Sequence, residues 1–317
     1  MNNIRELPIA EVSEVEIEGL AAYVPPRSVA NDEKVAEATG IVSRRVAEDG
    51  ETALDLSMRA AERLLDETGA DRNDFGAIVS VSFTQHERMP CGACQAQARL
   101  DMPKGVIAFD VMQACAGYGY GLYLSALLAR QTGRKVLLLD GDRQSEFLDA
   151  SDAATSPLLG DAGTATIVAP AAGAAAWRFA FASDGEKGGA LRLEDGGAIR
   201  MDGFGVFRFV ATDVVAYLKS FLSSAVPAGG DFLFAPHQAN VYMVRQLAKS
   251  TGIPEDRLLV SADRFGNLSS ASIPVTLASH ADRVKGSRVL MAGFGGGLSV
   301  ALGMVDVSVD CTMLFSS

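Results

Sequence analysis

The sequence predicts an α/β protein: sheets covered by helices on both faces and arranged in two like halves. Short apolar runs of strand length alternate with longer segments of helical spacing. The order of elements also recurs. Cys115 to Leu138 spans 23 positions, and Asn267 to Leu290 spans 23 as well. Self-similarity of this kind points to like units packed about a pseudo-dyad, here residues 1–170 and 171–317. Cys115 and Asn267 then occupy equivalent helix starts that face one cleft.

In order, Val15 to Tyr23 alternates as a strand closed by Pro25-Pro26. Thr52 to Thr68 is an amphipathic helix, with Leu54, Leu56, Met58, Ala61, Leu64 and Leu65 at helical spacing and Gly69 ending it. Ala77 to Phe83 is a buried strand, and Gly92 to Leu100 a helix. An apolar strand, Val106 to Val111, leads to Cys115; a helix follows to about Gln131, and Val136 to Asp140 is a short strand. In the second half, Thr212 to Ala225 is a helix and Phe232 to Ala235 a strand. Val241 to Thr251 is a helix, Leu258 to Val260 a strand, a further helix begins near Ser269, and Val289 to Ala292 is a strand.

A chain of 317 residues with 48% hydrophobic and 21% charged residues suits a well-packed globule of more than one small core. No apolar run approaches the roughly 20 residues of a membrane span. Met1-Asn2-Asn3-Ile4-Arg5-Glu6 lacks a basic flank and an apolar h-region, so the expected compartment is the cytoplasm. The four cysteines, Cys91, Cys94, Cys115 and Cys311, fit a reduced setting. A net charge of −11 argues against nucleic acid as a bulk partner and requires a local basic patch for any acidic macromolecule.

Functional residues of such sheets gather at strand ends and the loops after them. Cys115, His237, Asn267 and Gly295 to Gly297 all lie there. A cysteine in the first turn of a helix meets unpaired backbone N–H groups and the positive end of the dipole, which favour a thiolate. Each residue alone also has a plain reading: Cys115 as buried filler, His237 as a satisfied loop histidine, Asn267 as a helix-entry residue, the glycines as a tight turn. Asp161 reads as a turn or cap residue, and His280 as solvated on a helix face. His86, Cys91 and Cys94 lack the fourth ligand of a zinc site and read as small buried residues at a helix start. Phe204, Phe207 and Phe209 read as packing or pocket wall.

Taken together these residues resemble the β-ketoacyl-acyl-carrier-protein synthase III family of the thiolase fold. Ala114-Cys115-Ala116-Gly117-Tyr118 resembles its nucleophile motif and Pro236-His237-Gln238-Ala239-Asn240 its histidine motif. Gly266-Asn267-Leu268-Ser269-Ser270-Ala271-Ser272-Ile273-Pro274 resembles its asparagine motif, and Phe294-Gly295-Gly296-Gly297 its closing glycine loop. Thr39 to Arg45 and Gly160 to Ala165 add weaker matches.

The resemblance implies a five-layer αβαβα fold and decarboxylative condensation of a Cys115-bound acyl primer with malonyl-acyl-carrier protein. Cys115 is the nucleophile, and the N–H groups of Cys115 and Gly296 form the oxyanion hole. His237 and Asn267 serve the malonyl thioester. Met89, Leu159, Met201, Gly203, Phe207 and Asn240 fall at substrate-binding positions. Arg208, Arg245 and Lys249 offer a docking patch for carrier protein. The resemblance further implies a homodimer in which Met89 reaches the partner's primer pocket, with no cofactor and no metal. Acyl transfer to a hydroxyl or amine, or service as a supporting subunit of a heterodimeric synthase, are the alternatives.

Two departures bear on the primer. The stretch Glu33 to Ala38 carries neither the tryptophan nor the arginine that serves nucleotide binding in the family, and a second expected arginine falls near Ala153. Coenzyme A is therefore the less expected primer donor. The tail beyond Gly303 is also longer than is usual.

Overall fold

The structure, a computed structural model, describes residues 6–194, 196–225 and 230–317. Met1 to Arg5, read above for a leader, lie outside them. Two mixed sheets organise the chain. In the six-stranded sheet the order is Thr312–Ser316, Val15–Tyr23, Asp161–Pro170, Lys135–Arg143, Phe75–Val81, Ile107–Val111. In the five-stranded sheet it is Ala10–Val12, Trp177–Ser183, Ser299–Asp306, Arg288–Gly295, Leu233–Pro236.

The halves repeat in pairing as well as in order. Phe75–Val81 is parallel to both Ile107–Val111 and Lys135–Arg143, after which two antiparallel pairings lead outward. Leu233–Pro236 is likewise parallel to Arg288–Gly295, followed by two antiparallel pairings. The counterpart of Ile107–Val111 shrinks to one parallel bridge, Phe234 with Leu258, so the strand expected over Leu258 to Val260 does not form. Pro254 and the 3-10 turn Glu255–Arg257 leave it no length to pair.

Helices supply the remaining layers. Ala53–Thr68 covers the outer face of the six-stranded sheet. Its first turn is fixed by a capping box, Asp55 N–H donating to Thr52 Oγ1 and Thr52 N–H to the Asp55 carboxylate, and left-handed Gly69 stops it. Gly117–Thr132 and Ser272–Ser279 lie between the sheets and touch strands of both. In the latter, all seven residues from Ser272 to Ala278 are buried, as a helix enclosed on every side requires. On the outer face of the second sheet, helical backbone begins at Gly203, not Thr212, with the Asp202 carboxylate accepting from Gly205 N–H. It continues through a π-turn at Val210–Val214 to Ala225.

Both termini cross between halves. Ala10–Val12 pairs with Trp177–Ser183 in the second sheet, and Thr312–Ser316 runs parallel to Val15–Tyr23 in the first. The long tail thus covers what would be an open strand edge. It also buries Cys311 and packs Met313 and Phe315 on the core between the sheets. Ending the chain after Val307 is expected to lower the urea midpoint of unfolding and to promote self-association. An unchanged midpoint by circular dichroism would show that the tail strand adds no stability.

Candidate active site

Cys115 lies in a 3-10 turn, Ala114–Ala116, between Ile107–Val111 and Gly117–Thr132. The turn is entered through Ala114 at φ 39°, a left-handed conformation that costs a non-glycine residue about 1–3 kcal/mol and is held by its surroundings. The surroundings are the strand Arg288–Gly295 of the second half. A Cβ on Gly295 would stand 2.8 Å from Cys115 Sγ, and one on Gly293 2.9 Å from Ala116 Cα. Glycine at both places is what lets this strand close on the nucleophile turn.

Cys115 is only 7% exposed, and burial pushes its thiol up to about 12. The Ser269 hydroxyl and the backbone N–H groups of Gly296 and Cys115 act the other way, while the Asp142 charge adds to the rise. The resting group is therefore the thiol. The expected bias toward thiolate at a helix start is present in those N–H groups, but desolvation outweighs it.

His237 follows the strand Leu233–Pro236; its N–H donates to Ala292 O at 2.8 Å, and its ring stands edge-on to Phe294. The ring is buried, and burial lowers its pKa to about 4, so it is neutral near pH 7. Its Nδ1 lies 3.1 Å from Ser269 O. A carbonyl only accepts, so Nδ1 carries the proton and Nε2 is the acceptor.

Asn267 is pinned through its backbone. Its N–H donates to Leu158 O, and its carbonyl accepts from Gly160 N–H and from Gln144 Nε2. Its side-chain Oδ1 accepts from Ser269 N–H at 2.9 Å, which leaves the Nδ2 amide as donor. Ser269 thus touches both residues, and its Oγ lies 4.0 Å from Cys115 Sγ.

Beneath the nucleophile is a pair of buried acids that the sequence reading passed over. Asp140 and Asp142 alternate on Lys135–Arg143 and so share one face of the strand. Asp142 Oδ1 accepts from Ser82 Oγ, Phe83 N–H, Thr84 N–H and Thr84 Oγ1. Ser270 Oγ lies 2.5 Å from Asp140 Oδ1 and 3.2 Å from Asp142 Oδ2. One hydroxyl has one hydrogen, so it donates to one carboxylate only, and the other contact needs a proton on the acid. Burial pushes Asp140 well above the usual carboxylate range, with the Asp142 charge adding to the rise, so Asp140 carries that proton. The sequence signal was Leu138-Leu139-Asp140-Gly141-Asp142, two acids continuing an apolar run.

The remaining residues divide. Leu159 is buried and bridges to Asn267, while Met201 is half-buried. Gly203 and Phe207 are exposed, and Met89 is 87% exposed. Asn240 caps Val241–Thr251, its Oδ1 accepting from Met243 N–H, which leaves only its amide nitrogen for a ligand. Arg208 lies inside the helix Gly203–Phe209, ahead of Thr212 where the sequence placed the helix start. Arg245 and Lys249 are exposed one turn apart, Arg245 in an ion pair with Glu255 at 3.0 Å.

Several plain readings change. Asp161 opens a strand, where its carboxylate accepts from Ala47 N–H, Ser145 N–H and Ser145 Oγ. His280 ends the helix Ser272–Ser279, half-buried, with Nδ1 donating to Thr276 O. Cys91 is half-buried and Cys94 exposed, not buried as expected, because the first turn of Gly92–Arg99 turns them outward. Gln238, unremarked within the histidine motif, ties its loop to Leu259 O and to Ser261 N–H.

An open cavity of about 1050 Å³ reaches Ala114, Gly296 and Gly297, with Phe83, Met112 and Phe147 among its walls. Among the described residues no group of three or more His, Cys, Asp or Glu is arranged to hold a metal ion, and no helix is long and apolar enough to cross a membrane.

Two repeated α/β halves in five layers, with a cysteine turn of the first half closed by a glycine strand of the second, define the class as a thiolase-fold enzyme. Comparison narrows it. The family description 3-oxoacyl-[acyl-carrier-protein (ACP)] synthase III matches residues 109–185, and its C-terminal counterpart matches 232–307. A β-ketoacyl-[acyl-carrier-protein] synthase III of Halalkalibacterium halodurans is 30% identical, over 92% of this chain and 96% of its own length. The crystal structure of a 3-oxoacyl-(acyl-carrier protein) synthase of Burkholderia xenovorans superposes with a TM-score of 0.93 at 30% identity, covering 98% and 99% of the two chains. The priming β-ketosynthase of the R1128 polyketide pathway gives 0.85 at 29% identity, covering 96% and 99%. The chain belongs to the 3-oxoacyl-[acyl-carrier-protein] synthase III family of acyl-transferring condensing enzymes.

The buried ionisable groups give opposite pH signatures. His237 is lowered from 6.5 to about 4, so between those values the unfolded chain binds more protons and stability falls as pH falls, by on the order of 3 kcal/mol. His237→Gln should flatten that acid limb. Asp140 is raised, so the native state keeps a proton that the unfolded chain releases above about pH 4, and stability falls as pH rises from there. Asp140→Asn should remove this loss and raise the melting temperature at pH 8 more than at pH 4.5. A melting-temperature gain equal at both pH values would contradict a neutral Asp140.

Proposed function

We propose that this chain condenses a Cys115-bound acyl primer with malonyl-acyl-carrier protein, releasing carbon dioxide and 3-oxoacyl-acyl-carrier protein, in the cytoplasm and as a homodimer of two-domain subunits. The observation that supports the residue roles most is the convergence of Cys115, His237 and Asn267 on the single residue Ser269. Separate jobs for the three would not require such a meeting.

On this reading Cys115 attacks the primer thioester with the N–H groups of Cys115 and Gly296 facing the developing oxyanion. A thiol at about 12 must lose its proton as the bond forms, and the departing thiolate of the primer donor takes that proton up. The second half-reaction has a different proton balance. Acyl-Cys115 plus malonyl carboxylate gives product, carbon dioxide and a free thiol, so one proton is taken up. The anionic carboxylate, arriving in a buried site beside a neutral ring, raises the ring's proton affinity. Protonated His237 and the Asn267 amide then donate to the enolate oxygen that decarboxylation leaves. When the new carbon–carbon bond expels Cys115, the thiolate is a strong base and takes the His237 proton.

Intact-protein mass spectrometry with a panel of acyl thioesters tests the first step. The wild type should gain the acyl mass and Cys115→Ala should not; acyl groups mapped to Cys91 or Cys94 would refute the assignment. His237→Ala and Asn267→Ala should keep acylation but lose malonyl decarboxylation by at least about 100-fold. Loss of both half-reactions together would mean the roles are misassigned.

The primer donor and its docking belong to the same proposal. Lys34, Ala38 and Ala153 are exposed and offer no cationic fork or flat ring for a nucleotide. Arg208, Arg245 and Lys249 are exposed cations, and the last two border a groove of about 520 Å³ with Tyr242 and Gln246. Carrier-protein thioesters should therefore prime faster than coenzyme A thioesters. Reversing the charges of Arg245 and Lys249 should raise the carrier-protein Michaelis constant while sparing a small pantetheine thioester; variants equal to wild type would overturn this patch. Met89→Trp should change the primer profile if Met89 closes the partner's pocket, and a monomer in sedimentation would exclude that arrangement.

A further inference from the structure

Each of the three atoms through which Ser269 meets the site is a different chemical group with a different task. Its carbonyl oxygen faces His237 Nδ1 at 3.1 Å and so fixes which ring nitrogen is bare. Its N–H occupies Asn267 Oδ1 at 2.9 Å and so turns the amide nitrogen into the free end. Its hydroxyl lies 4.0 Å from Cys115 Sγ. The residue is fully buried and held at φ 53°, a left-handed conformation uncommon for a side chain other than glycine or asparagine. Strain of this kind persists only where the surrounding contacts fix it. Here those contacts are the site itself.

We infer that Ser269 is the positioning residue of this enzyme, with its backbone setting the tautomer of His237 and the rotamer of Asn267 and its hydroxyl alone serving Cys115. This rests on the roles proposed above for those three residues. The division of labour separates the half-reactions. A hydroxyl donating to Cys115 Sγ favours the thiolate that forms during acylation, whereas the carbonyl and N–H serve the pair that handles malonyl thioester.

The other charged and titratable groups around Cys115 leave that task to the hydroxyl. From the strand Lys135–Arg143 come Asp142, whose charge opposes a thiolate, and Asp140, which adjoins Tyr118 of the helix Gly117–Thr132. His237 comes from the loop after Leu233–Pro236 and is neutral, and the strand Arg288–Gly295 presents glycine backbone. The Asp142 carboxylate is also stabilised by the Ser269 hydroxyl, so the one hydrogen is shared between carboxylate and sulfur as the sulfur changes state.

Ser269→Ala removes the hydroxyl and keeps both backbone contacts. Alkylation of Cys115 by iodoacetamide, followed on the Cys115 peptide between pH 7 and 9, should slow about tenfold, the effect of one pKa unit. Decarboxylation of malonyl-coenzyme A should fall by much less than alkylation does, because the backbone contacts to His237 and Asn267 remain. Ser269→Gly, which can relax its φ, should lose alkylation rate equally and stands in if the alanine variant is not folded. Wild-type alkylation in a folded variant would overturn the assignment to Ser269. So would a loss of both half-reactions in step, since that is what a merely structural residue would give. Failure of the wild type to accept any acyl group at Cys115 would instead overturn the proposed function, and the alkylation result would still decide what Ser269 does for the sulfur.

Discussion

The approach of one bare backbone to one sulfur is the constraint on which the rest of the site depends. Strand Arg288–Gly295 belongs to the second half, and the Ala114–Ala116 turn to the first. They meet so closely that a single methyl group on Gly295 would overlap Cys115. Everything else follows from holding that approach. The sheets must lie at the spacing set by Gly117–Thr132 and Ser272–Ser279 between them, and the second of these helices is buried on every side from Ser272 to Ala278. The loops bearing His237 and Asn267 then have only one place to go.

Closing the site this tightly removes water, and removing water settles the charges. Cys115, His237 and Asp140 are all driven by burial to their neutral forms. Asp142 accepts from two backbone N–H groups, which can only donate, and from the hydroxyls of Ser82, Thr84 and Ser270, with the Ser269 hydroxyl adding to them, so it is better equipped than Asp140 to stay ionised. At rest the Asp142 charge is held in hydrogen bonds and the nucleophile is a thiol. The site acts when a substrate brings its own charge or accepts a proton, as a thioester and a malonyl carboxylate do.

The sequence was most legible where chemistry constrains residue type and least where packing does. Cys115, His237 and Asn267 stand out because few residues can serve as nucleophile, base and amide donor. Asp161–Pro170 went unread although it is central in the first sheet, because Asp161-Ala162-Gly163-Thr164-Ala165 is small and glycine-bearing, against strand propensity. It is small because helix Ala53–Thr68 lies on it: a Cβ on Gly163 would come within 2.1 Å of Leu56. Trp177–Ser183 and Ser299–Asp306 were missed as well, and the tail beyond Gly303 gave no sign that its last strand returns to the first sheet. Ser269 and Gln238 sat inside motifs already read, but their roles depend on contacts with other loops that no spacing reveals.

The internal repeat was visible as a spacing, yet the structure aligns it differently. A left-handed residue, a 3-10 turn and a central helix recur as Ala114, Ala114–Ala116 and Gly117–Thr132, and again as Ser269, Ser269–Ala271 and Ser272–Ser279. The counterpart of Cys115 is therefore Ser270, not Asn267, and the match of 23 positions arose because the segments between turn and strand differ in length. This correspondence gives the asymmetry of the site a physical form. One half uses the position after its left-handed residue to place a sulfur against the Gly295 backbone, and the other uses it to place a hydroxyl between two buried acids. Both positions are buried, and both take their access from the neighbours. Gly295 leaves space beside Cys115, whereas Ser270 packs against Gly117 at the foot of the nucleophile helix. A duplicated strand–turn–helix thus yields one reactive and one supporting site, because Cys115 lies against the bare Gly295 backbone whereas the Ser270 hydroxyl is engaged by Asp140 and Asp142.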